Sequence, residues 1–414
     1  MQVKRFFAFA DRYFIRRALP HGIVSWRYLL PHPPPKVLIH RRLWFMGRDP
    51  RIPLPLYLII EVLLWLRWVA FGCWWNSLRT VRRRGRDVRQ GEGIAMAVQL
   101  MRVLALSLCH CAPPGEIYAF ALYRPGAKET VWEYVFVHEI SAFHSWRNAG
   151  LVGSRDSSAL LQDKFRLAEL LSSNGIPMAP LLELAPRGAP FDPTPFLRSS
   201  ARLFCKPRHG SAGRDAFVIE GGGNGEYPAI FAVISGLKGK PATAASLRTA
   251  MGRDDFLIQP LMENHPRFAA LSPAGDAITL RVITERHSSG IRCFCPTLEI
   301  PGGTGAEAVG HIILPVDLPS GRVTRFPEDR LPHRARARHD AVLASLGECI
   351  VPFWDEIKES AMAAHGFFPG LHAIAWDYVV TATGPLMLEG NGGWGATTPQ
   401  VLHGGMLRND KRED

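Results

Sequence analysis

The stretch WDYVVTATGPLMLEGN, residues 376–391, constrains the fold most, because it sets two carboxylates in apolar runs on either side of a Thr-Gly-Pro turn. Both flanks read as short strands and the segment between them carries turn residues, so a β-hairpin is expected. With Ala382, Thr383 and Gly384 as a three-residue loop and Gly384 in its left-handed position, Thr381 pairs with Pro385, Val379 with Met387 and Asp377 with Glu389. Side chains on one face of a strand recur every second residue, which puts Asn391 beside Glu389 on that face. Two opposed carboxylates in an apolar setting repel, and are costly to desolvate unless a proton or a cation lies between them. Oxygen donors of this kind suit Mg²⁺, which takes one or two carboxylates and completes its shell with water and phosphate. A surface hairpin with solvated acids satisfies the same local pattern, and a slip of one residue would separate the two acids onto opposite faces.

A buried acid pair needs a sizeable core, and 414 residues that are 47% apolar and 21% charged suffice for two or three domains or subdomains. The net charge of +12 suggests nucleic acid until it is located along the chain. Residues 1–90 hold 18 Lys or Arg against four Asp or Glu, a net of +14, which leaves −2 for the rest. Basicity therefore belongs to the N-terminal region, and no nucleic-acid partner is expected. Seven cysteines in so long a chain make no disulfide framework and fit a reducing compartment. Cys109 and Cys111 flank His110, and Cys293 and Cys295 flank Phe294, but neither pair has zinc-site spacing, so structural cysteines are expected.

Within the basic region, LPLYLIIEVLLWLRWVAFGCWW, residues 54–75, is long enough to cross a bilayer. Glu61 and Arg67 interrupt it, each costing roughly 2.5–3.5 kcal/mol near a bilayer centre, about what its apolar residues return. Arginines crowd both ends, and four tryptophans (Trp65, Trp68, Trp74 and Trp75) lie within it or at its edge. A helix lying on an anionic membrane surface, a buried core helix and a spanning helix all remain open. The first 20 residues lack the apolar run and cleavage site of a signal peptide. LPHPPPK at 30–36 reads as a rigid linker or turn, and RLPHRARARHD at 330–340 as a solvated helix start or loop.

Four further segments carry chemistry. Residues 160–184 read as a helix that stops at Asn174-Gly175, with Lys164 near its start. Residues 202–220 read as a strand ending at Lys206, a glycine-bearing loop RHGSAGRD and a second strand; backbone amides and a lysine in this arrangement can close over phosphates, although the spacing is not that of a P-loop. In DFLIQPLMENHP, residues 255–266, a strand breaks at Gln259-Pro260, where backbone groups can meet an adenine edge and Glu263 a ribose hydroxyl. In DAITLRVITE, residues 276–285, Arg281 projects from a strand, where a guanidinium can hold a phosphate oxygen pair or stand exposed.

The order of these pieces, with DKF at 163–165, KP at 206, QP at 259, TLRV at 279 and WD…GP…LEGN at 376–391, resembles the ATP-grasp superfamily over residues 150–400. Its sugar-transfer-associated branch, similar to alpha-L-glutamate-ligase-like enzymes, is the nearest in pattern. The resemblance implies an α+β fold in which two subdomains grip ATP between antiparallel sheets, preceded by a mostly helical basic region. The expected division is a basic, aromatic segment at 1–90, an α/β subdomain at 91–150, a lid subdomain at 151–255 and a C-terminal subdomain with the metal site at 256–414. It implies that Lys164 and Lys206 contact ATP phosphates, that Gly210, Ser211, Ala212 and Gly213 form the flexible lid loop, with His209, Gly210, Ser211 and Gly213 binding ATP, and that Gln259, Pro260, Leu261 and Glu263 hold adenine and ribose. Arg281 would face the γ-phosphate or an acyl phosphate and act with Lys206 in catalysis. Asp377, Glu389 and Asn391 would bind Mg²⁺, with Mn²⁺ as the alternative ion. The implied reaction is attack of a carboxylate on ATP to give an acyl phosphate, captured by an amine or sugar acceptor in cell-surface polysaccharide biosynthesis; a kinase on the same fold and a non-catalytic nucleotide-binding scaffold are the alternatives. The implied location is cytoplasmic, with the membrane's inner face as a docking surface for residues 1–90. Residues 301–323 follow the family pattern only loosely, without an Asp-Asn pair near 305–310, and EGGGNGEYPAIF at 220–231 reads as lid loop.

Overall fold

The structure, a computed structural model, describes residues 25–408 apart from 211–213, 222–226, 233–240, 273–274 and 302–310. It divides into two compact units: Met1–Ala149 with Arg325–Ala341 and Gly393–Asp414, and Gly150–Thr324 with Val342–Gly392. Residues 393–414, expected within the last subdomain, thus lie with the N-terminal unit.

In the N-terminal unit, Pro35 opens the helix Pro35–Met46 at its first turn, where a missing N–H costs nothing, so the proline run is the approach to a helix. Residues 91–150, expected as an α/β subdomain, contain helices and turns and no strand among the described residues. The interior is aromatic: Tyr28, Trp44, Tyr57, Phe120, Trp132 and Phe136 belong to one buried cluster. Several of the buried polar groups beside it are paired. His40 Nδ1 lies 2.7 Å from Glu139 Oε1, and Gln400 bonds both the N–H and the carbonyl of Val135, at 2.7 and 2.8 Å.

The second unit holds two antiparallel sheets. The first contains β1 (Glu183–Ala185), β2 (Arg202–Pro207), β3 (Phe217–Glu220), β4 (Tyr227–Ala232), β5 (Pro241–Ala242) and β6 (Phe256–Pro260), in the order β1-β6-β2-β3-β4-β5. The second contains β7 (Thr279–His287), β8 (Gly290–Ile300), β9 (Ile312–Pro315), β10 (Ala373–Thr381) and β11 (Gly384–Asn391), in the order β11-β10-β7-β8-β9. β10, flanked by β11 and β7, is buried on both faces. Its Trp376, Tyr378 and Val380 pack with Leu167 and Leu171 of the helix Lys164–Ser173 and with Ile357 and Ala361 of the helix Trp354–Gly366. By alternation, Ala375, Asp377 and Val379 take the opposite face.

The hairpin differs from the expected one in its turn. Thr381 pairs with Gly384, leaving a two-residue loop of Ala382 and Thr383, and Val379 pairs with Leu386, not Met387. Gly384 has φ +147°, a conformation open to glycine. Leu388 is then an extra residue, a β-bulge, after which Asp377 pairs with Glu389 as expected. Continued without the bulge, the tighter turn would set Leu388 opposite Asp377 and carry Glu389 to the Trp376 face, into the core; the bulge restores the phase.

Candidate functional site

Asp377 is 5% exposed and faces Arg281, its partner in register across β7. Arg281 Nε and Nη2 donate to the two Asp377 carboxylate oxygens at 2.8 and 3.0 Å, while its Nη1 lies 3.1 Å from Glu299 Oε1 on β8. On the other side Asn391 Nδ2 reaches Asp377 Oδ2 at 3.3 Å and Glu389 Oε1 at 3.2 Å. One guanidinium therefore stands among three carboxylates. Burial pushes the Asp377 carboxyl up to about 6, the Arg281 fork opposing and the Glu389 and Glu299 charges adding to it. For Arg281, burial disfavours the charge, but the bonds to Asp377 outweigh it and hold the guanidinium charged.

The bulge has a second consequence. It releases the Leu388 carbonyl from the ladder, and Lys206 Nζ donates to it at 3.2 Å. Lys206 comes from β2 in the other sheet, 7% exposed. Burial lowers its pKa to about 8; the nearby Glu389 and Asp377 charges resist this and the Lys164 ammonium adds to it.

Asp163 caps the helix Lys164–Ser173 by accepting from Arg166 N, and Arg208 holds both Asp163 oxygens at 2.8 and 2.7 Å. Arg208 also bonds Asp255 at 3.2 Å. The DKF and KPR segments thus lock together at the entry to the glycine-bearing loop. Lys164 Nζ donates to Gly210 O at 2.6 Å, and burial depresses its pKa against the attraction of Glu389, Asp254 and Asp163. His209 turns to Asp254, its N–H 2.8 Å and its ring Nδ1 3.1 Å from the carboxylate. Ser211, Ala212 and Gly213 lie outside the described residues.

Gln259 is buried and its Nε2 donates to Ala179 O at 3.2 Å. Ala179 N in turn donates to Met387 O at 2.9 Å, so this side chain ties β6 to the edge of β11. Pro260 ends β6, Leu261 N bonds Arg202 O at 3.0 Å, and Glu263 is exposed on a loop that Asn264 closes through Ile278 N and Asp276 O.

The structure brings Arg281, Asp377, Glu389, Asn391 and Lys206 together, with Lys164 near enough to act on Lys206 by charge. Sequence reasoning missed Glu299, the Asp163–Arg208–Asp255 clamp and the Leu388 carbonyl. Glu299 had a signal, standing between the core residues Leu298 and Ile300. The donors suit Mg²⁺: hard oxygens on adjacent strands, with one carboxyl pushed toward neutrality by burial and the neighbouring acids. Rotating the Asn391 amide by half a turn would present its oxygen where the nitrogen now lies. Among the described residues no three His, Cys, Asp or Glu side chains form a group that could hold a metal ion.

Residues 147–413 match the family described as sugar-transfer associated ATP-grasp. No curated protein matches the chain. Among solved structures it is similar to the D-alanine-D-alanine ligase from Coxiella burnetii, at 15% identity and a TM-score of 0.32 over 57% of this chain and 49% of that one. It is also similar to N5-carboxyaminoimidazole ribonucleotide synthetase from Thermotoga maritima, at 15% identity and 0.32 over 61% and 48%. A third is the ATP-grasp ligase PsnB with a phosphomimetic variant of its minimal precursor, Mg and ADP, at 15% and 0.36 over 64% and 61%. The chain spans about half the length of the first two.

Proposed function

Because the chain belongs to the sugar-transfer-associated ATP-grasp family, we propose that it is an ATP- and Mg²⁺-dependent ligase that activates a carboxylate and joins it to an amine. The observation that carries this reading is the pairing of Asp377 with Glu389, bridged by Asn391, directly beside Arg281 and Lys206. An acid pair faced by cations on a partly dry surface can organise the charges of a transferring phosphoryl group, for which positioning and neutralisation supply most of the catalysis.

In the reaction a substrate carboxylate oxygen attacks the γ-phosphorus and the bond to the ADP oxygen breaks. An amine nitrogen then attacks the acyl carbon, phosphate leaves, and the amine gives up a proton. Lys206 and Lys164 neutralise phosphate oxygens, and Lys206, with a pKa of about 8, remains charged at neutral pH. Arg281 sits beside the transferred group, held in orientation by Asp377 and Glu299. Asp377, Glu389 and Asn391 would hold Mg²⁺, which supplies charge neutralisation at the phosphates. The family's association with sugar transfer supports a place in cell-surface polysaccharide assembly.

The test is a screen of amino-acid and amino-sugar acceptors against small carboxylates for ADP release, with products identified by mass. ADP, phosphate and a new amide are expected. A phosphorylated acceptor would replace this reading with a kinase, and nucleotide binding without turnover across the screen would replace it with a scaffold.

A further inference from the structure

The apolar stretch at 54–75 belongs to a helix that runs 39 residues, Leu54–Glu92, through one π-helical turn at Trp68–Gly72. By length and composition it could cross a membrane. Its inner face is already committed to the N-terminal unit. Tyr57, Ile60, Leu64 and Trp68 are buried, Tyr57 Oη donates to Trp44 O at 2.9 Å, and Trp68 Nε1 donates to Ser107 O at 3.1 Å. Glu61, the acid in the middle of the apolar run, is 0% exposed and accepts from Trp44 Nε1 at 3.2 Å. Spanning would strip these contacts and leave Glu61 in hydrocarbon.

The outer face has a different character. Ile59, Leu63, Leu66, Phe71, Trp74 and Trp75 recur at helical spacing and are exposed, Phe71 by 74% and Trp75 by 65%. Along the same face the chain continues with Arg79, Arg82, Arg83 and Arg86, also exposed. One stripe thus passes from aliphatic through aromatic to basic, within a 90-residue segment of net charge +14. A stripe of large exposed apolar side chains is seldom tolerated without an occupant.

We infer that this face docks on an anionic lipid bilayer, with the helix lying in the plane of the interface. Aliphatic side chains enter the acyl boundary, tryptophans sit at headgroup level, and the guanidinium groups meet lipid phosphates with paired donors. The charge gradient favours a membrane over a protein partner, since a row of arginines continuous with an apolar stripe matches a surface that is anionic outside and apolar beneath.

Full-length protein is floated with vesicles of phosphatidylcholine with and without phosphatidylglycerol. Binding is expected to the anionic vesicles, to weaken at high salt, and to fall roughly tenfold or more in Trp74→Ala/Trp75→Ala and in Arg82→Glu/Arg83→Glu. Because these side chains are exposed, thermal unfolding of both variants should match the parent, which separates lost docking from lost fold. Equal binding to neutral vesicles, or binding unchanged in both variants, would overturn the inference. So would resistance of the bound protein to alkaline carbonate, which marks a span, or self-association in the absence of lipid that both variants abolish, which marks a protein interface.

Discussion

Replacing Lys206 by Met should make the ligand-free protein more stable while weakening its grip on ATP. The side chain is 7% exposed, and its pKa falls from 10.5 to about 8 because burial disfavours the ammonium more than Glu389 and Asp377 favour it. At about 1.4 kcal/mol per tenfold in proton affinity, carrying that charge costs the folded state about 3 kcal/mol. Met keeps the unbranched shape and gives up the bond to Leu388 O, worth about 1 kcal/mol, so a net gain of about 2 kcal/mol is expected at neutral pH. The pH dependence follows from the depressed pKa. Below pH 8 the lysine is protonated in both states and the whole cost stands; as pH rises from 8 toward 10.5 the folded lysine is already neutral, and the gain of the Met variant shrinks and gives way to the loss of the bond, about 1 kcal/mol. Urea titrations followed by circular dichroism, without nucleotide or divalent ions, measure this at neutral and alkaline pH. Calorimetric titration with ATP should show affinity lower by about ten- to a hundredfold, the worth of a charge-assisted bond to phosphate. A variant less stable than the parent at neutral pH would refute the assignment of Lys206 as a strained, functionally held charge, and unchanged ATP affinity would remove its role at the phosphates.

Other perturbations follow the same logic. Asp377→Ala and Glu389→Ala should each abolish Mg²⁺-dependent ATP turnover with thermal unfolding still cooperative; turnover at the parental rate in either would dismiss that residue as a metal ligand. Arg281→Met leaves the Asp377 carboxylate buried without its fork, and because the Arg281 side chain is itself 34% exposed the expected loss is about 2 kcal/mol, below the usual cost of breaking a buried pair. That loss should be larger at pH 8 than at pH 5, where Asp377, with a pKa of about 6, takes up a proton and needs no partner; equal losses at the two pH values would contradict it. His40→Ala should cost about 3 kcal/mol by stranding the buried Glu139. Burial pulls the His40 pKa down but Glu139 raises it overall, so its contribution is complete below 6.5 and lost as pH climbs past the raised value. Burial pushes Glu139 up but His40 lowers it overall, so its share is complete above 4.5 and lost as pH drops through the lowered value. Urea titrations across pH should therefore find the parent-to-variant gap widest between 4.5 and 6.5, and a gap that is flat across this range would rule the pair out as a stabilising contact.

The facing of Asp377 and Glu389 was legible in the sequence, yet by a route the chain does not take. A three-residue loop with an unbroken ladder and a two-residue loop with a bulge reach the same pairing, since the bulge adds back the residue that the shorter turn removes. Nothing local distinguishes them: Pro385, Leu386, Met387 and Leu388 are all apolar, so the strand shows no alternation that could fix its phase. Gly390 is the residue that would have helped, because a Cβ there would come within 2.5 Å of the Trp376 ring, which requires Gly390 on the core side and hence Glu389 on the other. Glu299 and the Asp163–Arg208 clamp were harder to read, since a lone charge in a strand or at a helix start has no identifiable partner until sequence-distant segments are brought together. The N-terminal unit shows the same limit more strongly, as it is completed by residues 325–341 and 393–414.

The shared origin of the bulge and the lysine contact gives the arrangement its functional logic. A regular ladder would hold the Leu388 carbonyl against β10, whereas the bulge that returns Glu389 to Asp377 also frees that carbonyl for Lys206. One inserted residue thus sets the acid pair on one face and anchors the cation that opposes it, from a strand of the other sheet. Among the described residues the Leu388 carbonyl accepts one of the three protons of the ammonium, and burial leaves the lysine's pKa near 8. On the proposed function, a lysine held charged at neutral pH beside two carboxylates that repel each other would be stabilised most by a ligand that brings phosphate oxygens and a divalent cation together. The cost carried by the free protein would thereby be converted into affinity for that ligand.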